Sequence, residues 1–289
     1  MDISELVALF LEDCRYRRLR EKTVEVYRYN LERAMAWGLE ATERSCKRHL
    51  ADLADQGLSP FTCDQARRTL GTFFRFAFEE RHLEHNPMAR LKKGRLPKHH
   101  VNRLDEDEVI QLLALAGSTM QPERDVAILA VFLDCGLRRG EVASLEINDV
   151  NLDTHLLHVR GGKGDKDRWV PIGHWVAVIL EQYLQVRGRE GRALFLSRDG
   201  FPLASEGIAA LVRRLKQRLG RERLYSHLLR HSFAQLYWPK AGMERLRQVL
   251  GHENIQTTQK VYAEGDVDDL VKTHLEGGSP LDRLFVLRL

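Results

Sequence analysis

Through the first 85 residues, apolar side chains recur three or four positions apart, the spacing that gathers them on one face of a helix. The pattern runs through Leu6, Val7, Phe10 and Leu11 to about Arg17, then through Val24, Tyr27, Leu31 and Met35 as far as Gly38. A third run, SCKRHLADLADQG, reaches Gly57, a residue type that commonly closes a helix. Ser59-Pro60 opens a longer stretch, FTCDQARRTLGTFFRFAFEERHL, which Asn86-Pro87 is expected to break. Such a segment is expected to fold as a compact bundle of about four helices.

Residues 90–103, RLKKGRLPKHHVNR, lack any periodic apolar pattern. The next stretch, DEDEVIQLLALAG, starts a new amphipathic helix with acids in its first turn, where the helix dipole favours them. The expected organisation is a helical domain over residues 1–90, a basic linker over 91–103 and a second domain over 104–289. A chain of 289 residues is long enough for two separate cores. In the second half, RDVAILAVFLDCG reads as an apolar helix ending at Gly136, followed by a short helix at GEVASLEIND. The pattern then changes to two β-branched, alternating runs around a Gly/Lys/Asp turn, HLLHVRGGKGDKDRWVPI, the signature of a hairpin. Helices return at WVAVILEQYLQ, EGIAALVRRLKQRL, HLLRHSFAQLYW and MERLRQVLGH. The fold class is therefore mainly α, with one small antiparallel sheet in the second domain.

A net charge of +4 is too small to demand a polyanionic partner by itself. Its location says more: residues 1–100 hold 19 Lys/Arg against 15 Asp/Glu, whereas the remainder is balanced. A linker carrying Lys92, Lys93, Arg95, Lys98 and Arg103 can lie along a phosphate backbone, and it reads equally as a solvated connection. No run of 18 apolar residues and no signal sequence is present, so a soluble, non-secreted protein without a membrane partner is expected. The four cysteines, Cys14, Cys46, Cys63 and Cys135, are widely spaced, without a CxxC pair or a metal-ligand pattern, and are expected to be reduced core residues.

Four motifs in the second half carry candidate chemistry: GLRRGE with Arg138 and Glu141, RGGKGDKDR with Lys163, HLLR with His227 and Arg230, and LGHENIQTTQKVY with His252 and Tyr262. Two guanidiniums in separate apolar segments suit the oxygens of one phosphate. His227 and Arg230, three apart on a helix, can face one ligand. Taken singly, the others have plainer readings: Lys163 as a turn residue, His252 as a hydrogen-bonded structural histidine and Tyr262 as a core aromatic. GGKGDK lacks the spacing of a nucleotide phosphate loop, and no carboxylate cluster suits two metals. Arg, Lys and His together can stabilise a phosphoryl transition state without a metal or cofactor.

This ordered set resembles the tyrosine recombinases, the integrase family of site-specific DNA strand-exchange enzymes, over nearly the whole chain. The resemblance implies a core-binding N-terminal domain, a catalytic C-terminal domain and a clamp around double-stranded DNA at specific core sites. It makes Tyr262 the nucleophile, giving a 3′-phosphotyrosyl link and a free 5′-hydroxyl. Arg138 and Arg230 would hold the non-bridging oxygens, Lys163 would protonate the leaving oxygen, His227 would assist the tyrosine, His252 would bond the phosphate and Glu141 would support the site. The resemblance also implies a homotetramer on DNA, formed from monomers in solution, with no cofactor and with accessory DNA-bending or directionality proteins as companions. A cytoplasmic, nucleoid-associated enzyme is expected.

The ten-residue step from His252 to Tyr262 is similar to that of phage and mobile-element integrases, while the short chain, expected to lack an extra arm-binding domain, is closer to compact resolvase-like members. Integration or excision of a mobile element and resolution of DNA multimers both fit. A type IB-like topoisomerase shares the chemistry, and a non-catalytic DNA-binding regulator would share the fold. After Tyr262 come a short acidic helix at DVDDLVKTHL and an apolar tail, LDRLFVLRL, expected to dock on a neighbouring protomer, with folding back onto its own domain as the alternative.

Overall fold

The structure, a computed structural model, describes residues 2–94, 103–161, 167–187, 190–221, 223–251 and 264–286. The chain divides into two compact units, residues 1–99 and 100–289, each with its own hydrophobic core.

The first unit holds α1 (Ile3–Tyr16), α2 (Glu21–Ala36), α3 (Glu43–Asp55) and α4 (Pro60–Glu79). Their starts follow from capping chemistry. Asp2 forms a capping box with Glu5, the Thr42 hydroxyl accepts from the Ser45 N–H, and Ser59 caps α4 with Pro60 at the first helical position. The apolar faces meet around Phe10, whose ring lies 5.5 to 5.6 Å from those of Tyr27, Phe73 and Phe76. Helix α4 stops at Glu79, ahead of the predicted break at Asn86-Pro87. There the His82 N–H donates to the Ala77 carbonyl and the Arg81 N–H to that of Phe78, a closure that needs a left-handed residue, and Arg81 supplies it at φ 61°. An arginine in a position usually taken by glycine gave no signal in the sequence.

The second unit is built on α6 (Pro122–Cys135), whose residues 127–133 are wholly buried. Helices α5 (Glu106–Ala116), α8 (His174–Arg187) and α10 (Ser226–Leu250) pack against it, and α9 (Ser205–Leu219) packs on α5 and on the short α7 (Arg139–Ser144). A helix apolar all round belongs at the centre of a core, which explains why α6 shows no polar stripe. Helix α10 is broken at Gly242 (φ 84°, ψ 159°), where the sequence predicts two separate helices.

Three antiparallel strands, β1 (Val150–Asn151), β2 (Leu156–Val159) and β3 (Arg168–Pro171), lie in the order β1-β2-β3. The predicted hairpin is β2–β3, with Leu157 opposite Val170 and Val159 opposite Arg168; β1 is an addition too short to show alternation.

Beyond α11 (Glu264–Thr273) the chain turns through residues 274–278 into α12 (Pro280–Val286). Here the tail as far as Phe285 packs on its own unit, the alternative that the sequence leaves beside docking on a neighbour: Leu281 is fully buried and the Phe285 ring stacks on Trp175 at 4.3 Å. The reason is polar as well as apolar. Asp282 accepts from the His174 and Trp175 N–H groups and so caps α8. Buried Asp134, at the end of α6, accepts from Ser279 Oγ at 2.6 Å, His274 Nε2 at 2.9 Å and the Gly173 N–H at 2.8 Å.

Candidate active site

Helix α6 ends at Gly136, which takes the left-handed conformation (φ 60°). A Cβ there would collide with the Phe233 ring and press on Leu250, so only glycine allows the chain to pass this close to α10. Two residues later Arg138 stands at the cap of α7. Its N–H donates to Glu141 Oε2 and its Nη1 to Glu141 Oε1, both at 2.7 Å. A glutamate at the third helical position reaching back to the cap satisfies an N–H that would otherwise lack a partner.

Glu141 is buried and gathers further cations. Arg168 from β3 grips it with two parallel bonds, Nη1 to Oε1 at 3.0 Å and Nη2 to Oε2 at 2.9 Å. Arg230 Nη1 lies 3.9 Å from Oε2. Burial alone would raise the Glu141 carboxyl, but the hydrogen bonds and charge of Arg168, joined by the donors of Arg138, overcome it and hold the group down at about 2. Three guanidiniums around one carboxylate leave two positive charges unbalanced, an arrangement that attracts a phosphodiester.

Arg230 is itself buried and is oriented by two carbonyls: Nη1 donates to Gly136 at 2.6 Å and Nη2 to Leu250 at 2.8 Å. Desolvation, with the neighbouring charge of Arg138, lowers its guanidinium to about 10, still cationic at neutral pH. One turn earlier on α10, His227 is exposed, with the His231 ring perpendicular to it at 5.5 Å. Partial desolvation and the charges of His231, Arg230 and Arg138 lower the His227 imidazole below its ordinary value. Both influences favour the uncharged, proton-accepting form of the imidazole.

The structure thus brings Arg138, Glu141 and Arg230 together, with His227 within electrostatic reach. Lys163, His252 and Tyr262 lie outside the described residues. Their flanks are described: Asp167 Oδ1 accepts from the Gly161 N–H at 2.9 Å across the base of the hairpin loop, and Gly251, next to His252 in sequence, closes α10 at φ 62°. Of the basic linker, Lys92, Lys93 and Arg103 are exposed, while Arg95 and Lys98 lie outside the described residues. Arg168 escaped the sequence reading. Its one signal was a cation at the head of the alternating strand RWVPI, whose inward positions are otherwise apolar. A hollow of about 680 Å³ lined by Glu146, Ile147, Glu181, Gln185 and Arg192 includes none of the site residues.

Among the described residues no three His, Cys, Asp or Glu side chains gather as metal ligands, and no helix is long and apolar enough to cross a membrane.

Residues 102–268 match the Phage integrase family. The chain is 34% identical to a protein named tyrosine recombinase XerA from Thermococcus kodakarensis, over 86% of this chain and 87% of that one. It is 32% identical to a tyrosine recombinase XerC from Shewanella amazonensis, over 92% and 93%. Its fold is similar to that of a lambda integrase fragment solved as a dimer on a COC′ core site, with a TM-score of 0.75 at 20% identity, over 88% of this chain and 96% of that one.

Proposed function

This chain belongs to the phage integrase family of tyrosine recombinases, and we propose that it recombines double-stranded DNA at specific core sites through a 3′-phosphotyrosyl intermediate held by Arg138 and Arg230. The observation that carries the reading is the cluster at Glu141: two arginines from separate segments, fixed by a buried carboxylate and by backbone carbonyls, with His227 one turn before Arg230 on α10.

In the proposed reaction the Tyr262 hydroxyl attacks the scissile phosphorus as the bond to the 5′-oxygen breaks. The phenol, with an ordinary pKa near 10, gives up its proton toward neutral His227, and Lys163 supplies one to the leaving 5′-oxygen. Arg138 and Arg230 bind the non-bridging oxygens, on which negative charge accumulates in the transition state, and His252 adds a hydrogen bond. Because these cations are held in place before substrate arrives, little reorganisation accompanies the chemistry. A phosphotyrosyl ester conserves the energy of the diester it replaces, so a 5′-hydroxyl from a second duplex reverses the step without a high-energy cofactor.

The N-terminal unit, the basic stretch around Lys92, Lys93, Arg95, Lys98 and Arg103, and the catalytic unit are proposed to contact the duplex backbone, in complexes that close as a homotetramer in the cytoplasm. Integration or excision of a mobile element and resolution of DNA multimers both use this chemistry. The test is a strand-exchange assay with two labelled duplexes carrying a candidate core site, alongside a supercoiled plasmid without one. Recombinant product with no relaxation of the plasmid supports the proposal; relaxation without recombinants favours a topoisomerase.

A further inference from the structure

Arg168 is buried, and each of its three guanidinium nitrogens donates to a group within the protein. Its Nη1 and Nη2 grip the two oxygens of Glu141, and its Nε donates to the Val249 carbonyl at 2.9 Å. The side chain is 4% exposed. One guanidinium therefore ties three parts of the catalytic unit: β3, which leads out of the hairpin loop carrying Lys163; the carboxylate that fixes Arg138; and the last turn of α10. The next carbonyl along, that of Leu250, is held by Arg230. After it comes Gly251, in the left-handed conformation, where an added Cβ would sit 3.0 Å from Arg168 Cδ and 3.2 Å from Nε. The Gly-His pair of the sequence is thus explained at its first member, since the backbone must both turn and pass against the arginine.

We propose that Arg168 is a positioning residue for DNA strand cleavage, clamping the end of α10, from which the segment with His252 and Tyr262 departs, to the carboxylate that holds Arg138. Three facts support it. The grip on Glu141 is bidentate, which fixes angle as well as distance. Its third donor is spent on a helix-terminal carbonyl, where a cation is also favoured by the helix dipole. The residue is buried, so its bonds are shielded from competition by water. A lysine in its place carries a single point of charge and reaches Glu141 or the Val249 carbonyl, not both.

The inference rests on the assignment of Tyr262 as nucleophile, and the experiment separates the two. Covalent complex formation on a nicked duplex is timed for the wild type, Arg168→Lys and Tyr262→Phe, beside DNA binding and thermal melting. Each is repeated on a duplex whose bridging 5′-oxygen is sulfur, a leaving group that needs no protonation. Arg168→Lys is expected to bind DNA with little change and to cleave about 100-fold more slowly, the scale of a misplacement near 1 Å. Sulfur is not expected to restore the rate, because the defect lies at the end of α10 and not in leaving-group protonation. Wild-type speed in Arg168→Lys overturns the proposal, as does restoration by sulfur or a rate loss matched by lost binding and melting temperature. Should that variant not fold, Gly251→Ala presses on the same contact from the other side and is expected to show the same slow, unrescued cleavage. Failure of the wild type to form any Tyr262-dependent complex would instead reject the catalytic assignment itself.

Discussion

The carboxylate of Asp134 and the imidazole of His274, 140 residues apart in sequence, meet at 2.9 Å with neither side chain exposed to solvent. Burial would raise the Asp134 carboxyl, but the His274 charge and hydrogen bond, with those of Ser279 and the Gly173 N–H, outweigh it and leave the group lowered and ionised. This pair fastens the C-terminal segment to the end of α6, two residues before Gly136 and four before Arg138. The tail is therefore part of the scaffold that carries the site.

Removing it should cost stability first. Deleting residues 279–289 takes Ser279 Oγ and the Leu281 N–H from a buried carboxylate, and Leu281 and Leu284 from the core. Each such loss is worth about 1 to 3 kcal/mol for the polar groups and about 2 to 5 for a core leucine. The expected result is a catalytic unit that melts lower by more than about 10 °C or does not fold at all, followed by differential scanning calorimetry. An unchanged melting profile would argue that the tail belongs on a neighbouring protomer.

Glu141 should make stability depend on pH. Its carboxyl is held at about 2, below the ordinary 4.5, so the folded form binds its proton less readily than the unfolded form. The resulting stabilisation, on the order of 3 kcal/mol, is present above pH 4.5 and is lost as the pH falls toward 2. Glu141→Gln, which cannot titrate, should be less stable than wild type at pH 7, with the gap narrowing through that window in urea unfolding curves.

Arg138 and Arg230 should matter for chemistry more than for binding. Replacing either by lysine keeps a charge but loses the planar fork, and each is expected to slow covalent complex formation by a factor of about 100 to 1,000. Single-turnover cleavage measured beside a gel-shift titration checks this. Equal losses in both assays would assign these arginines to binding alone.

The acid limb of the cleavage rate should report His227. A base must be uncharged to act, and the lowered pKa of this imidazole keeps it uncharged to a pH below the usual 6.5. The rate is expected to hold down to that point and to fall as the pH drops through it, while His227→Ala should be slow throughout and lack this limb.

Much of the fold was readable because long amphipathic stretches and their caps are local. Asp2, Thr42, Ser59 and Asp105 each start a helix through contacts within three residues. The departures arise where distant residues decide. Arg81 in a left-handed turn ends α4 early, and β1 exists only because β2 offers it hydrogen bonds. The cis docking of the tail depends on Asp134, a buried acid whose partners lie about 140 residues away. In the site, the arginines and Glu141 could be picked out by motif, but Arg168 could not. Its role is defined by the 27 residues separating it from Glu141 and the 81 separating it from Val249, relationships that appear only when α7, β3 and α10 are packed together.

The central claim is that Tyr262 forms a covalent bond to DNA. The most direct measurement incubates the full chain with nicked duplexes tiled across the DNA flanking its gene, then separates denaturant-resistant protein–DNA complexes and identifies the modified peptide by mass spectrometry. The expected result is a nucleotide attached to Tyr262 and no complex from Tyr262→Phe. A complex that persists in Tyr262→Phe, or a nucleotide attached to another residue, would contradict the account.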